Sequence, residues 1–254
     1  MIPLRRLASL GNDRVWFEPA LDLLRALPRQ PDPRLRTYFQ PQQPIYIARA
    51  PGRLDVMGGI ADYSGARVLE LPLACATYAL VQRQDQPRCE IWSRRGERWD
   101  HFGIDLPLAA PAELAVRFRA QEQADRWAGY VVGVVQALFE GRPTANGLRI
   151  LIDSTVPEGR GVASSAALEV AVATAVAATC DIAIGAPELA ALCQRVENHV
   201  VGAPCGIMDQ MTSACGRQDQ LLQLHCQPGT IEGYVNVPSG YRFYGIDSGI
   251  SHAV

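Results

Sequence analysis

Residues 156–178 read VPEGRGVASSAALEVAVATAVAA, and the reading of this run decides the fold. Gly159 and Gly161 admit backbone angles that other residues avoid, so successive amide N–H groups can converge on one point. Ser164 and Ser165 add hydroxyls at the expected first helical turn. From Ala166 onward, alanine mixed with Val and Leu makes a strong helix-forming run. A glycine loop feeding a helix N-terminus is a ready anion site, because free N–H groups and the helix dipole point the same way. The same letters also suit an alanine-rich core helix with a flexible lead-in, and the run alone does not separate the two.

Outward from this run, residues 1–44 form a leading segment broken by Pro19, Pro28, Pro31, Pro33, Pro41 and Pro44, with room for one helix near Ala20–Leu27. Ile45–Ala50 alternates as a strand, and Val68–Val81 reads as two strands around Pro72. Cys89–Phe102 reads as a hairpin about Arg94–Glu97. Trp127–Phe139 has helical spacing, ended by Gly141 and Pro143. Leu148–Ile152 is a strand, and Pro187–Val200 a helix closed by Gly202. Leu221–Leu224 and Tyr241–Ile246 read as further strands. Strands lead and helices then mix in, which gives an α+β class.

The 254 residues are 48% hydrophobic and carry a formal net charge of -2, ample for a packed core and without general attraction to nucleic acid or membrane. All 24 basic residues are arginine, which excludes a phosphate-loop lysine, a Schiff-base lysine and a lysine general base. Any phosphate must be held by backbone, hydroxyls, arginine or a metal. The seven cysteines are dispersed, with no C-x-x-C pair, and read as reduced thiols of a cytoplasmic protein. The N-terminal residues lack an apolar signal core, and the longest apolar run carries Glu169, too polar for a membrane span.

Three segments carry the chemistry: Ala50–Tyr63 (APGRLDVMGGIADY), the glycine-serine loop, and Glu197–Gln210 (ENHVVGAPCGIMDQ). Asp209 sits between Met208 and Gln210, after a glycine-containing turn. A carboxylate in an apolar setting needs a partner or a task; capping the next helix is the plain alternative. Ser165 and Glu197 offer the oxygen donors Mg²⁺ favours, while Ser164 serves equally as an N-cap.

As an ordered set, the three segments resemble the sugar kinases of the GHMP superfamily, within it the galactokinase branch, and most of all the kinase domain of L-arabinokinases. The resemblance implies an α+β fold of the GHMP kinase N-terminal type, like the second domain of ribosomal protein S5. That domain would span 45–240, with 241–254 the start of a ferredoxin-like C-terminal domain. It implies ATP and Mg²⁺, a small-molecule sugar, and a further C-terminal kinase domain whose glycine-rich motif is missing here.

By resemblance, Asp209 takes the acceptor hydroxyl's proton, with Arg53 beside it offsetting phosphoryl charge. Ser165 and Glu197 hold the metal. Pro157, Gly159, Arg160, Gly161, Val162, Ala163, Ser164, Ser165 and Ala166 surround the ATP phosphates. Asp62, Tyr63, Gly59, Ile60 and Gly206 line the sugar. Two departures stand out. Val162–Ala163 replaces a common Leu-Ser, thinning the phosphate cradle. Gly59–Ile60 replaces the Glu-His of galactokinases, which predicts an apolar wall facing the exocyclic arm of galactose and a preference for L-arabinose. The rival readings are galactokinase proper, a non-catalytic sugar and ATP sensor, and a nucleic-acid module, the last disfavoured by charge.

Overall fold

The computed structural model describes residues 11–120, 125–142 and 146–249. Residues 1–10 of the leading segment and 250–254 of the final one lie outside that range. The spine is the 18-residue strand β2 (Arg67–Gln84). Strand β1 (Tyr46–Met57) runs antiparallel along one edge of β2. Strands β5 (Gly147–Ser154) and β6 (Gln220–His225) share its other edge, β5 at Thr77–Gln84 and β6 at Arg67–Glu70. A hairpin of β3 (Arg88–Arg95) and β4 (Arg98–Asp105) joins through a parallel β3–β5 pairing, and β7 (Thr230–Asn236) closes the far end on β6.

Both faces of the sheet are covered, so β2 is apolar nearly throughout rather than on alternate residues. Ala79 and Val81 face a core filled by α4 (Arg126–Phe139), α5 (Ser164–Thr179) and α6 (Ala186–Val196). Ala76, Tyr78 and Leu80 face the leading segment, where α1 (Glu18–Ala26) and α2 (Pro33–Arg36) supply Leu23 and Leu35. Two further helices complete the chain: α3 (Pro111–Ala120) and α7 (Met208–Cys215). The small side chains of α5 let it lie close on β1 and β2, buried on nearly every side. The architecture is α+β, as expected.

Four expectations change. The two strands around Pro72 are one: Pro72 lies opposite Arg53, at a register shift in β1 between Pro51 and Arg53, where an irregular ladder tolerates a missing N–H. Strand β1 continues seven residues past Ala50, because its glycines disfavour helix but not extended chain. Helix α6 stops at Val196 and gives way to a π-helical turn, Glu197–Val201. Tyr241–Ile246 forms no strand, since among the described residues no neighbouring strand pairs with it.

The Tyr38 hydroxyl is one of the groups that key the leading segment into the sheet. Tyr38 accepts the Ile150 amide N–H at 2.9 Å and reaches the Glu90 carbonyl, bridging β5 and β3 from a buried position. Tyr38→Phe strands those backbone groups. It should lower unfolding free energy by about 1–3 kcal/mol, read from urea denaturation.

Candidate active site

Strand β1 brings its Arg53 to the glycine loop because Gly52 has no side chain. A Cβ there would lie 2.9 Å from both the Val162 carbonyl oxygen and Val156 Cγ1. The Arg53 amide donates to that carbonyl at 3.0 Å. The Arg53 side chain, nearly buried, then spans the site. Nη1 donates to the Gly161 carbonyl at 3.1 Å, and Nε to Asp209 Oδ1 at 2.8 Å; Nη2 donates to the same Asp209 oxygen. On the side of β2, Glu70 Oε2 stands 3.3 Å from Nε.

Gly159 and Gly161 both take positive φ, and Ala163 joins them at φ 58° in the left-handed region, an uncommon setting for a residue with a Cβ. Ala163 is the cap position of α5, and its side chain cannot accept the first-turn amides. Ser164 is therefore the first helical residue, not the N-cap its sequence allowed. The uncapped amide groups at this helix start remain available to an anion. Arg160, expected at the phosphates, pairs with Asp247 at 3.2 Å.

Asp209 lies one residue into α7, and the start of that helix is fixed from a distance. Asp62, 5% exposed, accepts the amide of Ile207 at 2.9 Å and that of Met208 at 3.3 Å. Gly206 permits this: a Cβ on it would lie 2.0 Å from the Asp62 carboxyl. Asp62, Gly206 and Asp209 thus meet, with Asp62 a cap for the helix that carries Asp209. Ser213 Oγ ties α7 back to the Pro51 carbonyl of β1 at 2.7 Å. Tyr63 is exposed and reaches the Pro204 carbonyl. Gly59 (φ 59°) begins a 3-10 turn that turns Ile60 outward to 80% exposure. Among the described residues Ile60 is thus open to solvent beside the turn that leads to Asp62.

The π-helical turn aims Glu197 inward beside Ser165, and Gln210 Nε2 donates to its Oε2 at 2.7 Å. Sequence reading missed the groups behind it. Glu169, fully buried in α5, lies against Gln210 and Glu197, and Gln210 Oε1 has no partner among the described residues. An acid inside an otherwise apolar helix was the available signal. Burial holds the Glu169 carboxyl well above the usual carboxylate range, with the Glu197 charge adding to it. Burial also raises Glu197, against the pull of Ser165, and raises Asp209, against the pull of Arg53. Burial by itself would lower the pKa of Arg53, but Asp209 and Glu70 raise it on balance, so it stays charged.

A glycine loop on a helix start, an arginine-aspartate pair at its mouth and a hydroxyl-carboxylate pair beside it bring together groups able to hold an anion and groups able to hold a proton. Two stretches of the chain are similar to the GHMP kinases. Residues 129–217 match the GHMP kinases N terminal domain, and residues 35–83 match the galactokinase galactose-binding signature. Among named relatives, it is 42% identical over 248 residues to L-arabinokinase of Arabidopsis thaliana, covering 85% of this chain and 24% of that protein. It is 34% identical over 209 residues to galactokinase of Chloroflexus aggregans, covering 82% of this chain and 50% of the relative. Lactococcus lactis galactokinase, solved with galactose, superposes at TM-score 0.65 and 25% identity, over 76% of this chain and 47% of that one. The chain thus spans about half of the galactokinases it matches and about a quarter of L-arabinokinase. No helix of the described residues is long and apolar enough to cross a membrane.

The cap on α7 is open to test. Asp62→Ala frees the Ile207 and Met208 amides and should lower stability by about 0.5–2 kcal/mol. Chemical denaturation measures that loss, and amide exchange at Met208 and Asp209 should quicken with it.

Proposed function

We propose that the chain is the N-terminal part of an ATP-dependent sugar-1-kinase that transfers the γ-phosphate to the anomeric hydroxyl of a monosaccharide, with L-arabinose as substrate. The observation that carries this reading is the Arg53–Asp209 contact at the mouth of the uncapped glycine loop. Asp209 takes the proton of the attacking hydroxyl, or orients that hydroxyl on the phosphorus. Arg53 keeps Asp209 ionised and offsets charge developing on the transferred group, and its planar guanidinium suits both tasks. Gly159, Gly161 and the first amides of α5 hold ATP phosphates. Asp62 sets α7 and, through its remaining lone pairs, faces the sugar beside Gly206.

The donors also fit Mg²⁺. Among the described residues no cluster of three or more His, Cys, Asp or Glu forms a metal cage. Ser165 and Glu197 supply one hydroxyl and one carboxylate, which suits an ion that takes its other ligands from phosphate oxygens and water. Mg²⁺ bound there would neutralise phosphate charge.

For the sugar, the 42% identity to L-arabinokinase and the Gly59–Ile60 replacement support L-arabinose. The match to the galactokinase galactose-binding signature over 35–83 favours D-galactose as the second reading. A competition assay with both sugars separates them. Preference for L-arabinose in kcat/KM is expected, and a preference for galactose of about tenfold or more, beyond what one apolar contact supplies, would install the second reading.

Asp209→Asn in the protein expressed from its complete reading frame should lower kcat by about 10²–10⁴-fold in protein that circular dichroism shows to be folded, with the melting temperature lowered because Arg53 loses its charge partner. Burial raises the Asp209 pKa, and a base works only when ionised. Activity should therefore fall on acidification through a midpoint above the ordinary aspartate value of 3.8, read from the pH profile of kcat/KM.

A further inference from the structure

Glu70 sits inside β2, paired with Asp55 of β1 on one side and Leu222 of β6 on the other. Held on both edges, it is 0% exposed. Neither carboxyl oxygen receives a hydrogen bond from a described N–H or O–H group. Four groups face it: Arg53 and Asp55 from β1, Asp209 from α7, and the Cys226 thiol following β6. Glu70 Oε2 lies 3.3 Å from Arg53 Nε, but the Nε proton is given to Asp209, so Glu70 braces the guanidinium without bonding to it. A Cβ on Gly58 would lie 2.6 Å from Glu70 Oε1 and 2.8 Å from Asp55 Oδ1, so the two acids also back the turn that leads to Asp62.

We propose that Glu70 is a positioning residue, a buried brace on β2 that holds the Arg53 guanidinium in the orientation that meets Asp209. The inference rests on the phosphoryl-transfer reading of this site. Charge balance shows how an acid can serve there. Arg53 faces three carboxyl groups: Asp55, Glu70 and Asp209. Three ionised acids around one guanidinium would leave excess negative charge in a low-dielectric interior. A proton on the most buried of them relieves it. Burial first, then Asp55 and Asp209, push Glu70 up to about 9 against the pull of Arg53. With no donor around it, the Glu70 carboxyl is favoured in its protonated, neutral form. Neutral Glu70 therefore holds Arg53 in place and leaves the arginine's charge to Asp209 and the phosphoryl group.

The test compares Glu70→Ala, Glu70→Gln and Asp209→Asn in the protein expressed from its complete reading frame. Glu70→Ala lets Arg53 swing and should lower kcat about 10–100-fold, with KM for ATP and sugar changed by less than about threefold. Glu70→Gln keeps the shape and neutrality of the brace and should restore kcat to within about threefold of the parent. A second measurement does not depend on Glu70→Ala folding. Wild-type Glu70 holds a proton in the folded state that the unfolded chain releases, so its stability falls as pH rises between 4.5 and about 9. The stability advantage of Glu70→Gln over wild type should grow across that window.

Glu70→Ala turning over within about threefold of the parent, Glu70→Gln as slow as Glu70→Ala, or a stability difference flat with pH would each overturn the brace. Full turnover by Asp209→Asn would instead remove the transfer reading on which it rests.

Discussion

A guanidinium buried against a carboxylate is the constraint on which the site depends. Removed from water, Arg53 and Asp209 each carry a desolvation penalty that only close, well-aligned contact offsets. The surrounding structure is arranged to secure that alignment. Gly52 lets β1 pass the glycine loop, and the Gly161 and Val162 carbonyls take Arg53's side chain and backbone. Asp62 anchors the first turn of α7, and Ser213 anchors its far side to β1. Two segments far apart in sequence are thereby fixed at hydrogen-bond distance.

The acids behind this pair have a common physical role. Glu70 lies behind Arg53, and Glu169 lies behind Glu197, each fully buried and each raised by burial. Both back a side chain that faces the site. Gln210 joins the two halves, since it follows Asp209 in α7 and donates to Glu197. The Arg53–Asp209 contact and the Glu197–Gln210 contact thus share one helix, α7. A displacement of that helix would disturb both at once.

Much of the site was legible in the sequence where its chemistry is local. The glycine loop running into α5 is written in neighbouring residues, and the resemblance of the APGR and CGIMDQ runs to those of sugar kinases marked Arg53 and Asp209. What pairing across the fold decides was not legible. Glu70 reads as one polar letter in an apolar strand, and only the β1 and β6 pairings place it behind Arg53. Asp62 read as a sugar contact, while its carboxyl also caps a helix 145 residues away. Pro72 suggested two strands because its irregular partner in β1 is invisible locally. The 3-10 turn that leaves Ile60 exposed was not legible either. Tyr241–Ile246 has the alternation of a strand and lacks the neighbour that would make it one.

The most direct measurement of the central claim is ³¹P NMR of the protein from its complete reading frame with ATP, Mg²⁺ and L-arabinose. The account predicts ADP together with a sugar phosphate whose phosphorus couples to the anomeric proton. ADP with inorganic phosphate alone, or a phosphate on any other sugar oxygen, would contradict it.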